Sequence, residues 1–150
     1  MFIRKWHDLP ENMKNESVKS YYEILYKKRY SLIAKRVFDV VVAIILLIVF
    51  SPLFIIISLA IKIDSEGPIM FRQIRVTQCG RKFKIYKFRT MVKSAEKLGT
   101  QVTTKNDSRV TRVGKLLRKL RFDEIPQLIN IIVGDMSFVG TRPEVAKYVE

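Results

Sequence analysis

Cysteine and histidine are almost absent from this chain of 150 residues: Cys79 and His7 occur once each. A single cysteine excludes an intramolecular disulfide and a cysteine-based metal cluster, and it fits a reducing, cytoplasmic setting. With the one histidine far out in the N-terminal stretch, acid–base or nucleophilic work in the body of the chain falls to carboxylates, hydroxyls or Cys79. Acids are scarce as well, 14 Asp and Glu against 28 Lys and Arg, for a net charge of +14. The surplus is local. Lys62 to Arg121 holds 17 basic residues and only Asp64, Glu66, Glu96 and Asp107 as acids, a net of +13. Such a block attracts polyanions, whether nucleic acid, anionic lipid headgroups or phosphorylated small molecules. No zinc-finger spacing, aromatic RNA-binding signature or recognition-helix pattern accompanies it, so a nucleic-acid reading rests on charge alone. A cleavable signal peptide is not expected, because the first thirty-odd residues are polar and the apolar run after them is too long for one.

That run, Val40 to Ile61, is uncharged and mostly aliphatic, and Ser51-Pro52 interrupts it near the middle. Twenty-two helical residues would cover ~33 Å, roughly one bilayer core. Proline lacks an N–H and crowds the carbonyl four residues back, so the helix should bend there, and the Ser51 hydroxyl is placed to satisfy the freed carbonyl. The arm before the break is ~18 Å long, too short to cross alone. Both flanks are basic: Lys27, Lys28, Arg29, Lys35 and Arg36 precede the run, and Lys62, Arg72, Arg75, Arg81, Lys82 and Lys84 follow it. Cationic flanks prefer the cytoplasmic side, which favours a segment that enters and leaves on one face. A kinked single span and a buried core helix stand as alternatives. One modest globular domain fits beside this element.

Met1 to about Ser20 reads as a loosely ordered polar leader, and Tyr21 to Lys35 has the mixed aromatic, aliphatic and cationic composition of a helix lying at a membrane surface. Glu66-Gly67-Pro68 stops the apolar element. Ile69 to Ile74 and Lys82 to Arg89 read as strands joined by a turn at Gln78-Cys79-Gly80, a hairpin. Ser94 to Asp107 is polar. Val113, Leu116, Leu117 and Leu120 recur at helical spacing with Lys115, Arg118, Lys119 and Arg121 opposite, a basic amphipathic helix whose cationic face either is solvated or docks on lipid. Ile125, Leu128, Ile129, Ile132 and Val133 form a second helical set closed by Gly134, and Pro126 in the first turn sets the start near Asp123.

Asp123 and Glu124 are then adjacent carboxylates at a helix start, after a strongly basic stretch. Acids at helix starts commonly serve as caps. An ionised Asp can also attack phosphorus, and a neighbouring Glu can hold a divalent ion that neutralises phosphate charge. Arg142 lies in a loop before Pro143; its planar fork suits a phosphate oxygen pair, although an exposed loop arginine needs no ligand.

Six motifs occur in order: Lys35-Arg36-Val37-Phe38-Asp39, the Ser51-Pro52 break, Gly67-Pro68-Ile69-Met70-Phe71-Arg72-Gln73, Lys84-Ile85-Tyr86-Lys87-Phe88-Arg89-Thr90-Met91, Asp123-Glu124-Ile125-Pro126-Gln127-Leu128 and Gly134-Asp135-Met136-Ser137-Phe138-Val139-Gly140. Together they make the chain, from about Lys35 to Glu150, resemble the bacterial sugar transferases, the monotopic polyprenyl-phosphate phosphoglycosyl transferases. The resemblance implies a transfer at the cytoplasmic face of the bacterial plasma membrane in which Asp123 attacks the sugar-bearing phosphate of a nucleoside diphosphate sugar, such as a UDP-sugar, and polyprenyl phosphate takes the phosphosugar, beginning a surface glycan. It further implies that Glu124 binds Mg²⁺, that Arg118 and Arg142 contact substrate phosphate, and that Ser51 and Pro52 shape a re-entrant helix-break-helix.

The chain departs from the family pattern at Thr141, where Pro-Arg-Pro is usual, and family members extend beyond the position of Glu150, which leads us to expect a C-terminally truncated member. The expected fold is α+β and mostly helical: a polar leader and surface helix over 1–34, a re-entrant membrane helix over 35–64, and a partial cytoplasmic catalytic domain over 65–150 with amphipathic interface helices and a short β-hairpin. Membrane lipids, the nucleotide sugar and polyprenyl phosphate are the expected partners, and nucleic acid is not. The competing expectations are an inactive membrane-associated member and a basic membrane-anchored polyanion binder. No motif reads hydroxyl stereochemistry, so the sugar is not specified.

Overall fold

A computed structural model describes residues 5–77, 80–93, 95 and 107–145. Most of the expected polar segment between Ser94 and Asp107, and Gln78 and Cys79 of the expected turn, lie outside the described residues. Among the described residues are five α-helices and one two-stranded antiparallel sheet.

The N-terminal stretch is more regular than its composition suggests. Short 3-10 turns at Trp6–Asp8 and Glu11–Met13 lead into α1 (Glu16–Lys27), whose start is capped by the Asn15 side chain accepting from the Val18 N–H at 2.9 Å. Such a cap satisfies one of the orphan donors of the first turn. Tyr22 stacks on Tyr26 and meets the edge of Trp6. No residue of α1 is buried, and Tyr21, Ile24, Leu25 and Tyr26 lie exposed.

Helix α2 (Arg29–Val49) carries the basic flank directly into the apolar run, and α3 (Ser51–Asp64) continues it after a 60° bend. The cause of the bend is local. Pro52 cannot donate to the Ile48 carbonyl, and the Ser51 hydroxyl donates to it instead at 2.8 Å. No single described helix is long and apolar enough to cross a membrane, although the bent pair is, by length and composition. The run is buried on one side only: Ala43, Ile57 and Ile61 are covered, while Val41, Ile45, Ile48, Val49, Ile55, Ile56 and Leu59 are exposed, and Ile63 just past its end is 87% exposed.

Strands β1 (Met70–Val76) and β2 (Lys82–Phe88) pair from Met70 with Phe88 to Val76 with Lys82. On β2, Phe83 and Ile85 point inward while Lys82 and Lys84 point out, the period-2 pattern of a half-buried strand. Phe88 then seats against α3 and α4 (Arg112–Leu120). Ile57, Ile61, Phe88 and Leu117 form one core cluster, with Phe54, Phe122 and Ile125 packed on it, and the Phe54 and Phe88 rings lie 4.6 Å apart. A second cluster joins α2 to α5 (Gln127–Val133) through Ala43, Leu128 and Ile131, and Ile125 touches both. Gly114 lets α4 sit on the end of β2, because a Cβ there would lie 2.1 Å from the Thr90 carbonyl oxygen.

Three sequence expectations need correction. The helix expected to begin near Asp123 begins at Gln127 with Pro126 as its N-cap, because Phe122–Glu124 forms a separate 3-10 turn. Val133, expected on the buried face of that helix, is 68% exposed, while Asn130 and Ile131 are buried, because β2 and α2 approach α5 from directions that the apolar period alone does not encode. On α4 only Val113 and Leu117 of the apolar stripe face the core, and Leu116 and Leu120 remain exposed.

Candidate active site

The site is built on the turn between α4 and α5. Arg121 ends α4 in the left-handed region at φ 61°, the one such non-glycine among the described residues. This conformation costs an L-residue about 1–2 kcal/mol. It reverses the chain so tightly that the next three residues close a 3-10 turn, with the Glu124 N–H bonded to the Arg121 carbonyl and the Ile125 N–H to that of Phe122. Phe122 and Ile125 are pulled into the core, and Asp123 is turned inward with them.

Asp123 is 9% exposed, and its Oδ1 has no hydrogen-bond partner. It is not a helix cap, since Pro126 occupies the N-cap of α5. Burial pushes its pKa above the ordinary carboxylate value, Lys87 draws it back down, and the Glu124 charge adds to the upward push. An unpaired buried acceptor costs about 1–3 kcal/mol, so the fold carries this oxygen at a penalty.

Its neighbour is treated oppositely. Glu124 Oε1 takes Lys87 Nζ at 2.8 Å, Arg142 Nη2 at 3.2 Å and Arg121 Nη1 at 4.0 Å. Burial alone would raise the Glu124 pKa, but Lys87, Arg142 and Arg121 together outweigh it and hold the carboxyl below its ordinary value. Two adjacent carboxylates are thus pushed in opposite directions, a pattern that separates chemical roles. All three cation contacts fall on Oε1.

Arg118 comes from the last turn of α4, and its Nε donates to Thr90 Oγ1 at 2.8 Å. Its charge is close enough to Asp123 to lower that pKa. Arg142, exposed in the loop after α5, reaches the pair through Glu124. The fold therefore gathers Asp123, Glu124, Arg118 and Arg142, which span 25 positions of sequence, around one turn. Ser51 and Pro52 stand apart at the bend; their link to the site is indirect, through Leu53 and Phe54 in the core cluster that also holds Phe122 and Ile125.

Lys87, Thr90 and Asn130 belong to the site's support and were not singled out from sequence. Asn130, 0% exposed, uses its side-chain amide as an extra strand against β2: Oδ1 accepts the Tyr86 N–H at 3.0 Å and Nδ2 donates to the Lys84 carbonyl at 2.8 Å. This fixes α5 against the strand that presents Lys87. A single polar residue amid the apolar stretch of 128–133 was the signal available for it. At the C-terminal end, Gly134 adopts φ 98° as expected of a helix-ending residue, and Arg36 of α2 donates to the last-turn carbonyls of Ile131 and Ile132. Among the described residues, no group of three or more His, Cys, Asp or Glu could enclose a metal ion.

Over 116 residues the chain is 48% identical to a UDP-N-acetylgalactosamine-undecaprenyl-phosphate N-acetylgalactosaminephosphotransferase of Aeromonas hydrophila, covering 77% of this chain and 27% of that protein. Over 117 residues it is 45% identical to a UDP-glucose:undecaprenyl-phosphate glucose-1-phosphate transferase of Escherichia coli (strain K12), covering 77% and 25%. An exopolysaccharide production protein of Rhizobium leguminosarum bv. phaseoli is 42% identical over 112 residues, covering 74% and 56%. The chain thus spans roughly a quarter of the length of the first two. A model of the bacterial sugar transferases matches residues 30–150, the stretch that carries the bent helix pair, the hairpin and the carboxylate turn, and the chain belongs to that family.

Proposed function

We propose that this chain transfers a sugar phosphate from a UDP-sugar to undecaprenyl or a similar polyprenyl phosphate, with Asp123 as nucleophile. The observation that carries the reading is the buried, unpartnered Asp123 Oδ1 beside Lys87, Arg118 and a Glu124 held ionised. The names of the relatives supply the substrate classes.

In the first step an Asp123 oxygen attacks the sugar-bearing phosphorus. The phosphoanhydride bond breaks, and the nucleoside monophosphate leaves with the bonding electron pair. In the second, an oxygen of polyprenyl phosphate attacks the same phosphorus, the P–O bond to Asp123 breaks, and the carboxylate is restored. The Arg118 bond to Thr90 fixes the plane of its guanidinium and presents the remaining donors to phosphate oxygens, where Arg142 would supply a second fork. Burial of the turn limits water at the acyl phosphate between the two steps.

Magnesium fits the donor set. This ion is usually held by one or two carboxylates together with substrate phosphates, and the cation contacts of Glu124 all fall on Oε1, leaving Oε2 for it. Bound by Glu124 it would neutralise phosphate charge.

The setting we propose is the cytoplasmic face of the plasma membrane, with 35–64 as a re-entrant element, 1–34 on the surface before it and 65–150 as the catalytic part. Neither arm of the bent pair reaches the ~30 Å of a bilayer core by its apolar length, yet both leave aliphatic side chains outward with no protein cover. Leu116 and Leu120, exposed beside Lys115 and Lys119, would let α4 dock on lipid as well. The bent helices would hold the carboxylate turn at the interface, where a soluble nucleotide sugar and a lipid phosphate meet. The product is the first lipid-linked unit of a surface glycan, in keeping with the name of the Rhizobium relative.

The test is release of UMP from a UDP-sugar by the full chain with Mg²⁺ and polyprenyl phosphate in lipid nanodiscs. Asp123→Asn is expected to abolish it, and turnover retained in that variant removes Asp123 as the nucleophile.

A further inference from the structure

The loop of residues 134–144 carries Arg142 to Glu124, yet much of it belongs to no helix or strand. Its fastening comes from elsewhere in the chain. Near its start Asp135 pairs with Arg81 at 2.9 Å, and near its end the Val76 N–H donates to the Glu144 carbonyl at 2.8 Å. The middle is held by α2. Ser137 Oγ donates to Asp39 Oδ2 at 2.8 Å, and Lys35 Nζ joins both Asp39, at 2.9 Å, and the Ser137 hydroxyl.

Asp39 is 3% exposed and immediately precedes the apolar run. A buried carboxylate is tolerable only when paired and hydrogen-bonded, and one of the two groups that satisfy this one, the Ser137 hydroxyl, lies almost 100 residues away in the loop. If Asp39 served only its own helix, the i,i+4 partner Lys35 at the surface would suffice. One turn earlier in register, Arg36 donates to the final carbonyls of α5, so the same face of α2 fixes both the end of that helix and the loop leaving it.

We infer that Asp39 is a positioning residue: through Ser137 it sets where the Arg142 guanidinium meets Glu124, and so ties the seating of the membrane-facing helix to the geometry of the carboxylate turn. The inference rests on the reading of Glu124 and Arg142 as working site residues. It assigns Asp39 no contact with substrate.

The experiment uses the full chain in nanodiscs, with Ser137→Ala as the principal variant because it cuts the link from the loop side and leaves α2 intact. Asp39→Asn cuts it from the other side. Each is expected to lower kcat/KM for the UDP-sugar about tenfold, and to add less than about twofold when Arg142→Ala is already present, as residues acting through one another do. Ser137→Thr, which keeps the hydroxyl, should restore most of the loss. Amide hydrogen exchange should quicken at 137–142 in Ser137→Ala while the protection of β2 and α4 holds. Losses that add fully to that of Arg142→Ala, or exchange unchanged at 137–142, would overturn the inference. A wild-type chain without transferase activity would instead sink the proposed function, and exchange at 137–142 would then decide the anchoring by itself.

Discussion

The two pieces of backbone that meet at Glu124 are held by different forces. The turn bearing Asp123 and Glu124 is fastened by apolar packing: Phe122 and Ile125 sit in the cluster built on Phe88, Ile57, Ile61 and Leu117. The loop bearing Arg142 is fastened by polar contacts, Asp39 with Ser137, Arg81 with Asp135, and the Val76–Glu144 bridge. Close-packed side chains resist displacement because every ångström forfeits contact, whereas a partly exposed clasp such as Arg81 with Asp135 can exchange with water at little net cost, which leaves the buried Asp39 as the firmest hold on the loop. The carboxylates are thereby the fixed side of the site and Arg142 the adjustable side. On the proposed function, that division would suit the uptake and release of a charged nucleotide.

The difference can be probed by breaking each side in turn. The largest loss of stability is expected from Phe88→Ala, which empties the middle of the apolar cluster and should cost about 3–5 kcal/mol in denaturant unfolding of the detergent-solubilised chain. Asn130→Ala comes next. It orphans the Tyr86 N–H and the Lys84 carbonyl and should cost about 1–3 kcal/mol, with a loss of activity as Lys87 shifts.

Asp123→Asn should act in the opposite direction on stability. The folded pKa of Asp123 is raised above its ordinary value of 3.8, so protonation favours the fold, and that contribution is present below pH 3.8 and lost as the pH rises through the raised value. At neutral pH the variant should therefore be more stable than the wild type by about 1 kcal/mol while inactive, and the gain should vanish on acidification. Thermal unfolding of both chains across that pH range measures it. The smallest effect belongs to Arg81→Ala on the polar side. Its pair with Asp135 is partly exposed, and its removal should cost no more than about 1 kcal/mol, less at high salt.

What was legible in the sequence follows the range of the forces involved. The helix break was readable because Pro52 and Ser51 act within one turn, and even the carbonyl that Ser51 satisfies, that of Ile48, follows from counting four residues back. The strands were readable to within two residues, since alternation at Phe83 and Ile85 reports directly on which face is buried. The carboxylates could be picked out as candidates, but their setting could not. Nothing in a basic, non-glycine Arg121 announces a left-handed conformation, and it is that conformation which turns Asp123 inward and delays α5 to Gln127. Asn130 escaped because an apolar period counts only apolar residues, whereas its burial depends on the unpaired edge of β2 lying alongside. The Asp39–Ser137 clasp joins positions 98 apart and leaves no periodic trace.

The most direct measurement is intact-mass analysis of the full chain mixed with a UDP-sugar and Mg²⁺ while polyprenyl phosphate is withheld. The predicted result is a gain equal to one sugar phosphate, mapping to Asp123, absent from Asp123→Asn and discharged when polyprenyl phosphate is added. UMP release by the wild type without any adduct, or an adduct that survives Asp123→Asn, would contradict the assignment of Asp123 as the nucleophile.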